Sequence, residues 1–134
     1  PKKNVIIISA DHQNVLFSEA ASASFHAGGW QVYSLGDMSS SIDVLFDLDL
    51  QKFLTKVWKS GMGIMVIVVF SSTEESMKFF AESVNSIKLK FRKSLYLAVC
   101  GDMKKNTEIE ADLIDKDLEA ILQWSQTTFE SSVS

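Results

Sequence analysis

Runs of apolar residues alternate with amphipathic segments along this chain of 134 residues. The most continuous run covers 64–70, where seven apolar residues, many of them β-branched, predict a strand buried on both faces. Comparable runs predict strands over 5–9 and 95–100, and shorter ones over 30–35 and 111–114. Strands buried on both faces are typical of parallel sheets, so this pattern predicts a sheet covered by helices on each side.

The segments between these strands carry apolar residues at helical spacing. Helices are predicted from the turn after the first strand to about residue 27, over 50–58, over 74–91 and from 118 onward, with a frayed tail over 130–134. The stretch 103–109 has room for only a turn or two of helix. In the first helix, the spacing predicts a sheet-facing stripe formed by Leu16, Ala20, Ala23 and Ala27.

Strands and helices thus alternate without hairpin signals, which indicates the α/β class. We predict one flavodoxin-like domain over 1–134, a doubly wound sheet of five parallel strands in a (βα)5 arrangement. This domain could be a piece excised from a larger regulatory protein. In such a sheet, ligands bind at the carboxyl ends of the strands. We therefore expect a functional edge lined by the residues near Asp11, Asp37, Ser71 to Thr73, Gly101 and Asp115.

Composition narrows the function classes. A net charge of −4 argues against direct nucleic-acid binding by the domain as a whole. The longest apolar run is far shorter than the roughly 20 residues that cross a bilayer, so no membrane partner is expected. The single cysteine excludes an internal disulfide and a multi-cysteine zinc site, which favours a reducing cytoplasm.

Candidate chemistry is sparse. The chain lacks the glycine-rich motifs of dinucleotide and P-loop sites, and no serine lies in G-x-S-x-G. His12 follows the first strand, His26 can complement a helix C-terminus, and Cys100 ends a buried strand, but their spacing gives no metal signature. We therefore predict no catalytic residues and no metal. A basic cluster ends the helix over 74–91, and it is either a solvated helix end or a phosphate or partner site: Lys88, Lys90, Arg92 and Lys93.

Short motifs along nearly the whole chain resemble the cobalamin-binding domain of the methionine synthase and corrinoid-protein type, including its use as a light or redox sensor. The matching pieces are Gly29-Trp30, Leu35-Gly36, Ser71-Ser72-Thr73, Cys100-Gly101 and Glu110-Ala111-Asp112. Counting back from Gly29-Trp30 puts Asn14 at the family's cobalt-ligating histidine and Phe17 at its glycine. Cys100 replaces the first glycine of a Gly-Gly pair. The resemblance therefore implies a degenerate scaffold that lacks its cobalt ligand. The alternative is that His12 is a shifted ligand for cobalamin or haem.

The chain also resembles the receiver domain of response regulators, which has the same fold. Asp11 follows the first strand as a receiver acid does, and the segment from Glu110 to Lys116 is similar to the receiver's Gly-Ala-Asp…Lys ending. The third strand, however, ends in Phe70-Ser71 without an acceptor aspartate. The resemblance implies a pseudo-receiver that is not phosphorylated in the usual way.

These observations favour a non-catalytic signalling module that contacts a protein partner or other domains of the same protein. The expected interaction edge consists of Asp11, His12, Asp37, Ser72 and Asp102. No cofactor is expected under this hypothesis. The alternative is a cobalamin or haem sensor, whose site would comprise His12, Asn14, Ser71, Ser72, Thr73 and Gly101. A small enzyme is a third hypothesis, resting on the fold alone.

Overall fold

The computed structural model describes residues 2–42, 45–59, 61–91, 94–102 and 108–134, which contain five strands and four α-helices. The strands are β1 Lys3–Ser9, β2 Gln31–Asp37, β3 Ile64–Phe70, β4 Leu95–Cys100 and β5 Leu113–Asp115. The helices are α1 Val15–Ala27, α2 Phe46–Val57, α3 Glu74–Phe91 and α4 Leu118–Val133, and 3-10 turns cover His12–Asn14 and Ser39–Ser41. None of the helices in these ranges is both long and apolar enough to cross a bilayer.

The strands form one parallel sheet in the order β2-β1-β3-β4-β5, which confirms the flavodoxin-like prediction. All seven residues of β3 are buried, because β3 has a strand on each side and helices over both faces. Side chains of a strand alternate between the two faces, so β1 contributes to both core layers. Ile6 and Ile8 pack with α2 and α3, whereas Val5 and Ile7 pack with α1 and α4.

The predicted sheet-facing stripe of α1 is wrong. Leu16 is 79% exposed, and Ala20, Ala23 and Ala27 are also exposed. The buried residues of α1 are instead Ser18, Ala21 and Phe25. A serine can face the sheet here because the Ser18 hydroxyl donates to the carbonyl of Val15 at 2.8 Å within the helix.

The observed ends of strands and helices agree best with the predicted ends where the apolar pattern of the sequence is uniform. The bounds of β3, α3 and β4 are those predicted, whereas β2 begins one residue later and continues to Asp37. The last strand begins at Leu113 rather than at residue 111, because Asp112 accepts the backbone N–H of Leu97 through its carboxylate at 2.8 Å. The predicted frayed tail is helical to Val133. Most of the predicted short helix over 103–109 lies outside the described residues, as do Arg92 and Lys93.

Candidate functional site

The carboxyl ends of all five strands lie in one row across the sheet. Ser9 pairs with Asp37 on one side and with Phe70 on the other, Phe70 pairs with Cys100, and Cys100 pairs with Asp115. The loops after the strands therefore leave from the same edge, as predicted. We call this row, with the loops and first helical turns that follow it, the carboxyl edge.

A hydrogen-bond network joins two loops of the carboxyl edge. The carboxylate of Asp11 accepts the side-chain amide of Asn14 at 2.6 Å and the backbone N–H of Ser72 at 2.7 Å. The same amide of Asn14 also donates to the hydroxyl of Ser72 at 2.7 Å. Both oxygens of Asp11 thus accept hydrogen bonds, and the carboxylate links the loop after β1 to the loop after β3.

His12 pairs with Asp37 beside this network. Nδ1 of His12 lies 3.2 Å from Oδ2 of Asp37, and the imidazole is 91% exposed. Asp37 also accepts the backbone N–H of Ser39 at 2.9 Å. Hydrogen bonds from Ser39 lower the pKa of Asp37 most, and His12 lowers it further. The pair holds the imidazole by one nitrogen and leaves its other nitrogen at the surface.

The hydroxyl groups after β3 turn toward the start of α3. Ser71 is buried, donates to the carbonyl of Thr73 at 2.9 Å and contacts the hydroxyl of Ser76. Thr73 in turn accepts the backbone N–H of Ser76 at 3.2 Å. These bonds satisfy donors and acceptors in the first turn of α3, which is the ordinary use of such residues at a helix start. Ser71 and Thr73 are therefore structural groups in this arrangement.

Gly101 lies in a tightly packed position. A Cβ added there would overlap the terminal methyl of Met77 and the carbonyl oxygen of Ser71. Its backbone N–H donates to the carbonyl of Asp115 at 3.1 Å and so continues the sheet hydrogen bonding past the end of β4. Asp102, the next residue, is exposed.

Two apolar side chains project from the start of α1, next to Asn14. Leu16 is 79% exposed and Phe17 is 40% exposed. The ring of Phe17 packs edge-on against Phe70, with centroids 5.2 Å apart and an interplanar angle of 86°. The sequence analysis singled out Phe17 through the family resemblance, but it missed the exposed pair because it assigned Leu16 to the core. One feature of the sequence could have indicated the exposed pair: α1 is weakly amphipathic, with apolar or small residues on nearly every side, so its pattern does not mark which side is buried.

The carboxyl edge is acidic. Ten of the 17 acidic residues lie in its described loops and first helical turns, namely Asp11, Asp37, Asp47, Asp49, Glu74, Glu75, Asp102, Asp115, Asp117 and Glu119. Some serve the fold: Asp117 caps α4 by accepting the backbone N–H of Glu119 at 3.1 Å. Lys116 is the only lysine or arginine of the described part of this edge. The surface as a whole therefore presents negative charge to an approaching molecule.

Cys100 is not an activated nucleophile. Burial, with a smaller contribution from the charges of Asp115 and Asp117, raises the pKa of its thiol to about 12. A thiol with this pKa is protonated at neutral pH, and the thiolate is the reactive form. No group of three or more His, Cys, Asp or Glu in the described ranges is arranged to hold a metal ion.

The packing of the described residues does not fit a corrinoid whose nucleotide tail enters near Gly101. The space there is filled by Met77 and Ser71. Asn14, at the position of the expected cobalt ligand, has an amide that is already bonded to Asp11 and Ser72. His12 is the histidine of this edge, and it stands on the far side of the network, against Asp37.

The fold is similar to that of a cobalamin-binding protein from Desulfitobacterium hafniense DCB-2. The two structures superpose with a TM-score of 0.71 at 14% sequence identity. The match covers 95% of this chain and 59% of that protein, so the chain spans little more than half of its length. No protein-family model matches the chain, and no curated protein matches it in sequence. At this identity the likeness shows the shared flavodoxin-like, cobalamin-binding-type fold alone.

Proposed function

We propose that this chain is a non-catalytic regulatory module that binds a protein partner, or another domain of the same protein, through the carboxyl edge. The observation that carries the proposal is the network around Asp11. At the edge where this fold class binds ligands, the polar side chains of Asp11, Asn14 and Ser72 bond to one another. Side chains that bond to one another form a firm surface, and they are less available to act on a substrate. The single cysteine of the chain supports a cytoplasmic setting for this module.

The chemistry of the edge suggests the chemistry of the partner. Exposed Leu16 and Phe17 supply an apolar centre, and the surrounding carboxylates supply an acidic rim. Interfaces combine an apolar centre with a polar rim, and complementary charge improves specificity and the rate of association. The partner surface that fits is therefore an apolar patch bordered by lysine and arginine.

Proximity labelling tests the proposal. The full-length protein, fused to a biotin ligase, is expressed in its native cell as wild type, as Leu16→Asp and as Leu89→Asp. Leu89 is the matched control, because it is 82% exposed on α3 outside the carboxyl edge. We expect one or more proteins to be enriched at least fivefold by wild type and Leu89→Asp and lost with Leu16→Asp. Equal enrichment by all three proteins would contradict the proposal.

An axial-ligand role for His12 is a second candidate function, favoured by the His12–Asp37 pair. Histidines that ligate metals usually donate their other ring N–H to a carboxylate, and Asp37 offers that partner at 3.2 Å. In this alternative, cobalamin or haem is bound at the outer face of the edge by His12, with Asp37 holding the imidazole in place. The tail pocket near Gly101 has no part in it.

Absorption spectroscopy tests this candidate. The protein is mixed with hydroxocobalamin or with haemin and passed over a gel-filtration column. A retained chromophore that is lost in His12→Ala and kept in His26→Ala supports ligation by His12, since His26 is also exposed. A colourless wild type, or retention that His12→Ala leaves unchanged, contradicts it.

A further inference from the structure

The end of the domain opposite the carboxyl edge is basic. Because α2 and α3 each follow a parallel strand, both helices end at the amino edge of the sheet, where they lie side by side. The second half of α2, the loop after it and the last turn of α3 carry Lys52, Lys56, Lys59, Lys88 and Lys90. The sequence has no acidic residue over 50–73 or 83–101. Of these five lysines, Lys88 is paired with Asp112. In the described ranges the other four have no carboxylate within 4 Å.

Two of these lysines line one groove. The groove has a volume of about 370 Å³ and is bordered by Lys59 and Lys90, with Trp58 and Phe91 as its aromatic residues. The rings of Trp58 and Phe91 lie 5.4 Å apart at an angle of 34°, and Nε1 of Trp58 donates to the carbonyl of Gly63 at 3.0 Å. The indole is thus fixed and only 8% exposed, so the aromatic pair forms a firm apolar wall, with Trp58 mostly within the core, beside two ammonium groups.

The backbone at one side of this groove is open. Gly61 has a φ of +84°, and a Cβ added to it would meet no atom within 4 Å. A ligand can therefore approach the main chain closely at Gly61, where a side chain would otherwise intervene. The hydroxyl-bearing residue Ser94 borders the same groove and could offer a further polar contact.

The positive charge of the groove is not neutralised by the protein. In the described part of the chain, neither Lys59 nor Lys90 lies within 4 Å of a carboxylate. Nζ of Lys90 donates to the neutral amide oxygen of Gln51 at 3.0 Å. Interaction with the C-terminus of α3 accounts for a cation at Lys90. Lys59 follows the C-terminus of α2 by two residues and borders the same groove, so the ends of two different helices bring the two ammonium groups together.

We propose that this groove binds the phosphate group of a small phosphorylated ligand that also carries an aromatic or apolar part. Lys59 and Lys90 would neutralise the phosphate as point charges, and the Trp58–Phe91 wall would contact the apolar part. A volume of about 370 Å³ lies near the lower end of the range of small-molecule sites. This binding is independent of the carboxyl edge, which lies at the other end of the strands.

Titration followed by NMR tests the proposal. The ¹⁵N-labelled protein is titrated with adenosine monophosphate, with adenosine and with inorganic phosphate at about 50 mM salt. We expect adenosine monophosphate to shift the backbone amides of Lys59, Gly61 and Ser94 with saturation. Inorganic phosphate should act at the same amides at least tenfold more weakly, and adenosine should bind more weakly still.

Charge-matched variants separate a site from general attraction. Lys59→Gln with Lys90→Gln should weaken adenosine monophosphate binding at least tenfold, because both ammonium groups are lost. Lys52→Gln with Lys116→Gln changes the net charge equally and should leave binding within twofold. All four lysines are exposed, so the folds of the variants can be verified by their spectra.

Three results would overturn the proposal. The first is the absence of saturable shifts at the groove with either phosphate compound. The second is an equal loss of affinity in the two double variants, which would indicate nonspecific charge attraction. The third is an oligonucleotide that binds more tightly than the mononucleotide and shifts Lys52 and Lys56 on α2 together with the groove, which would indicate a polyanion surface.

Discussion

The side-chain amide of Asn14 lies 2.6 Å from Oδ1 of Asp11, and the backbone N–H of Ser72 lies 2.7 Å from Oδ2 of the same carboxylate. One aspartate therefore holds the segments that lead into α1 and into α3. If this cross-link stabilises the edge, its removal should be measurable without any ligand.

We expect Asp11→Ala to lower the free energy of unfolding by about 1–3 kcal/mol, because two donors lose a charged acceptor. Urea denaturation followed by circular dichroism measures the change. Asp102→Ala, at an exposed position of the same edge, is the control and should stay within about 0.5 kcal/mol of wild type. Equal stabilities of the two variants would show that the network contributes little.

Lys3, at the start of β1, contacts the end of α1, the residue before β2 and the middle of α4. Its Nζ donates to the carbonyl of Gly28 at 2.7 Å and to Oε1 of Gln126 at 3.0 Å, and it lies 5.6 Å from the ring centroid of Trp30. We expect Lys3→Met to destabilise the protein by about 1–2 kcal/mol in the same denaturation experiment, since hydrogen bonds and a cation–π contact are lost. Lys2→Met, at an exposed neighbouring position, should have an effect near zero.

Gly63 should be far less replaceable than Gly36, although both have a positive φ. Their φ angles are +82° and +70°, but a Cβ at Gly63 would overlap the backbone of Lys2, whereas one at Gly36 meets nothing within 4 Å. Gly36→Ala should cost about 1–2 kcal/mol for the left-handed backbone alone. Gly63→Ala should cost at least twice as much, as measured by thermal or urea unfolding. Similar costs would show that the chain shifts easily at Lys2.

The thiol of Cys100 should resist alkylation in the folded protein. With its pKa raised to about 12 by burial, almost no thiolate forms at pH 8. Iodoacetamide should therefore add mass to the native protein at least a hundredfold more slowly than to the protein in urea. Fast native alkylation would contradict the inert, buried state described above.

The same pKa predicts how stability responds to alkali. The folded thiol keeps its proton between its ordinary pKa of 9.0 and about 12, whereas the unfolded thiol loses its proton in that range. Unfolding then releases a proton, so the stability should fall as the pH rises above about 9. Cys100→Ala, compared with wild type at pH 8 and pH 10.5, should show a smaller decline.

Asp37 should contribute to stability only when it is ionised. Its pKa is lowered from the ordinary 3.8 by hydrogen bonds from Ser39 and by His12, so the folded state favours the carboxylate. The contribution is present above the unfolded pKa and is lost as the pH falls through the lower folded value. The difference in melting temperature between wild type and Asp37→Asn should therefore shrink between pH 6 and pH 2.5. A constant difference would mean that the charge of Asp37 plays no part.

Local signals in the sequence were sufficient for much of the fold. The continuous apolar run of β3 and the acidic first turn at Glu74 specify a buried strand and a helix start through nearby residues alone. The prediction of the sheet-facing side of α1 was wrong for an equally physical reason. Its serine hydroxyls bond to helix carbonyls, as Ser22 does to Ser18 at 3.0 Å, so burial of these residues costs little and the apolar pattern does not mark the sheet-facing side.

The candidate site was predictable in position but not in its bonds. Polar residues after parallel strands must meet at one edge, and Asp11, Asp37 and Ser72 do so. The bond from Asn14 to Ser72 spans 58 positions of sequence, and no local pattern specifies such a partner. The basic cluster that includes Lys90 was recognised in the sequence as a possible phosphate or partner site. Its groove with Lys59 was not, because the two lysines come together only through the packing of α2 beside α3.

The opposite charges of the two ends of the sheet make the domain an electric dipole directed along its strands. Such a molecule experiences a torque in the field of a charged neighbour, so it turns before any side chains touch. If the proposed partner is basic, it would meet the carboxyl edge first, and an anion would be drawn to the other end, each with fewer unproductive encounters. Reversing a few charges at either end should thus slow association and leave dissociation almost unchanged. The arrangement of charge would then set how fast the proposed partners associate with this domain, separately from how tightly they are bound.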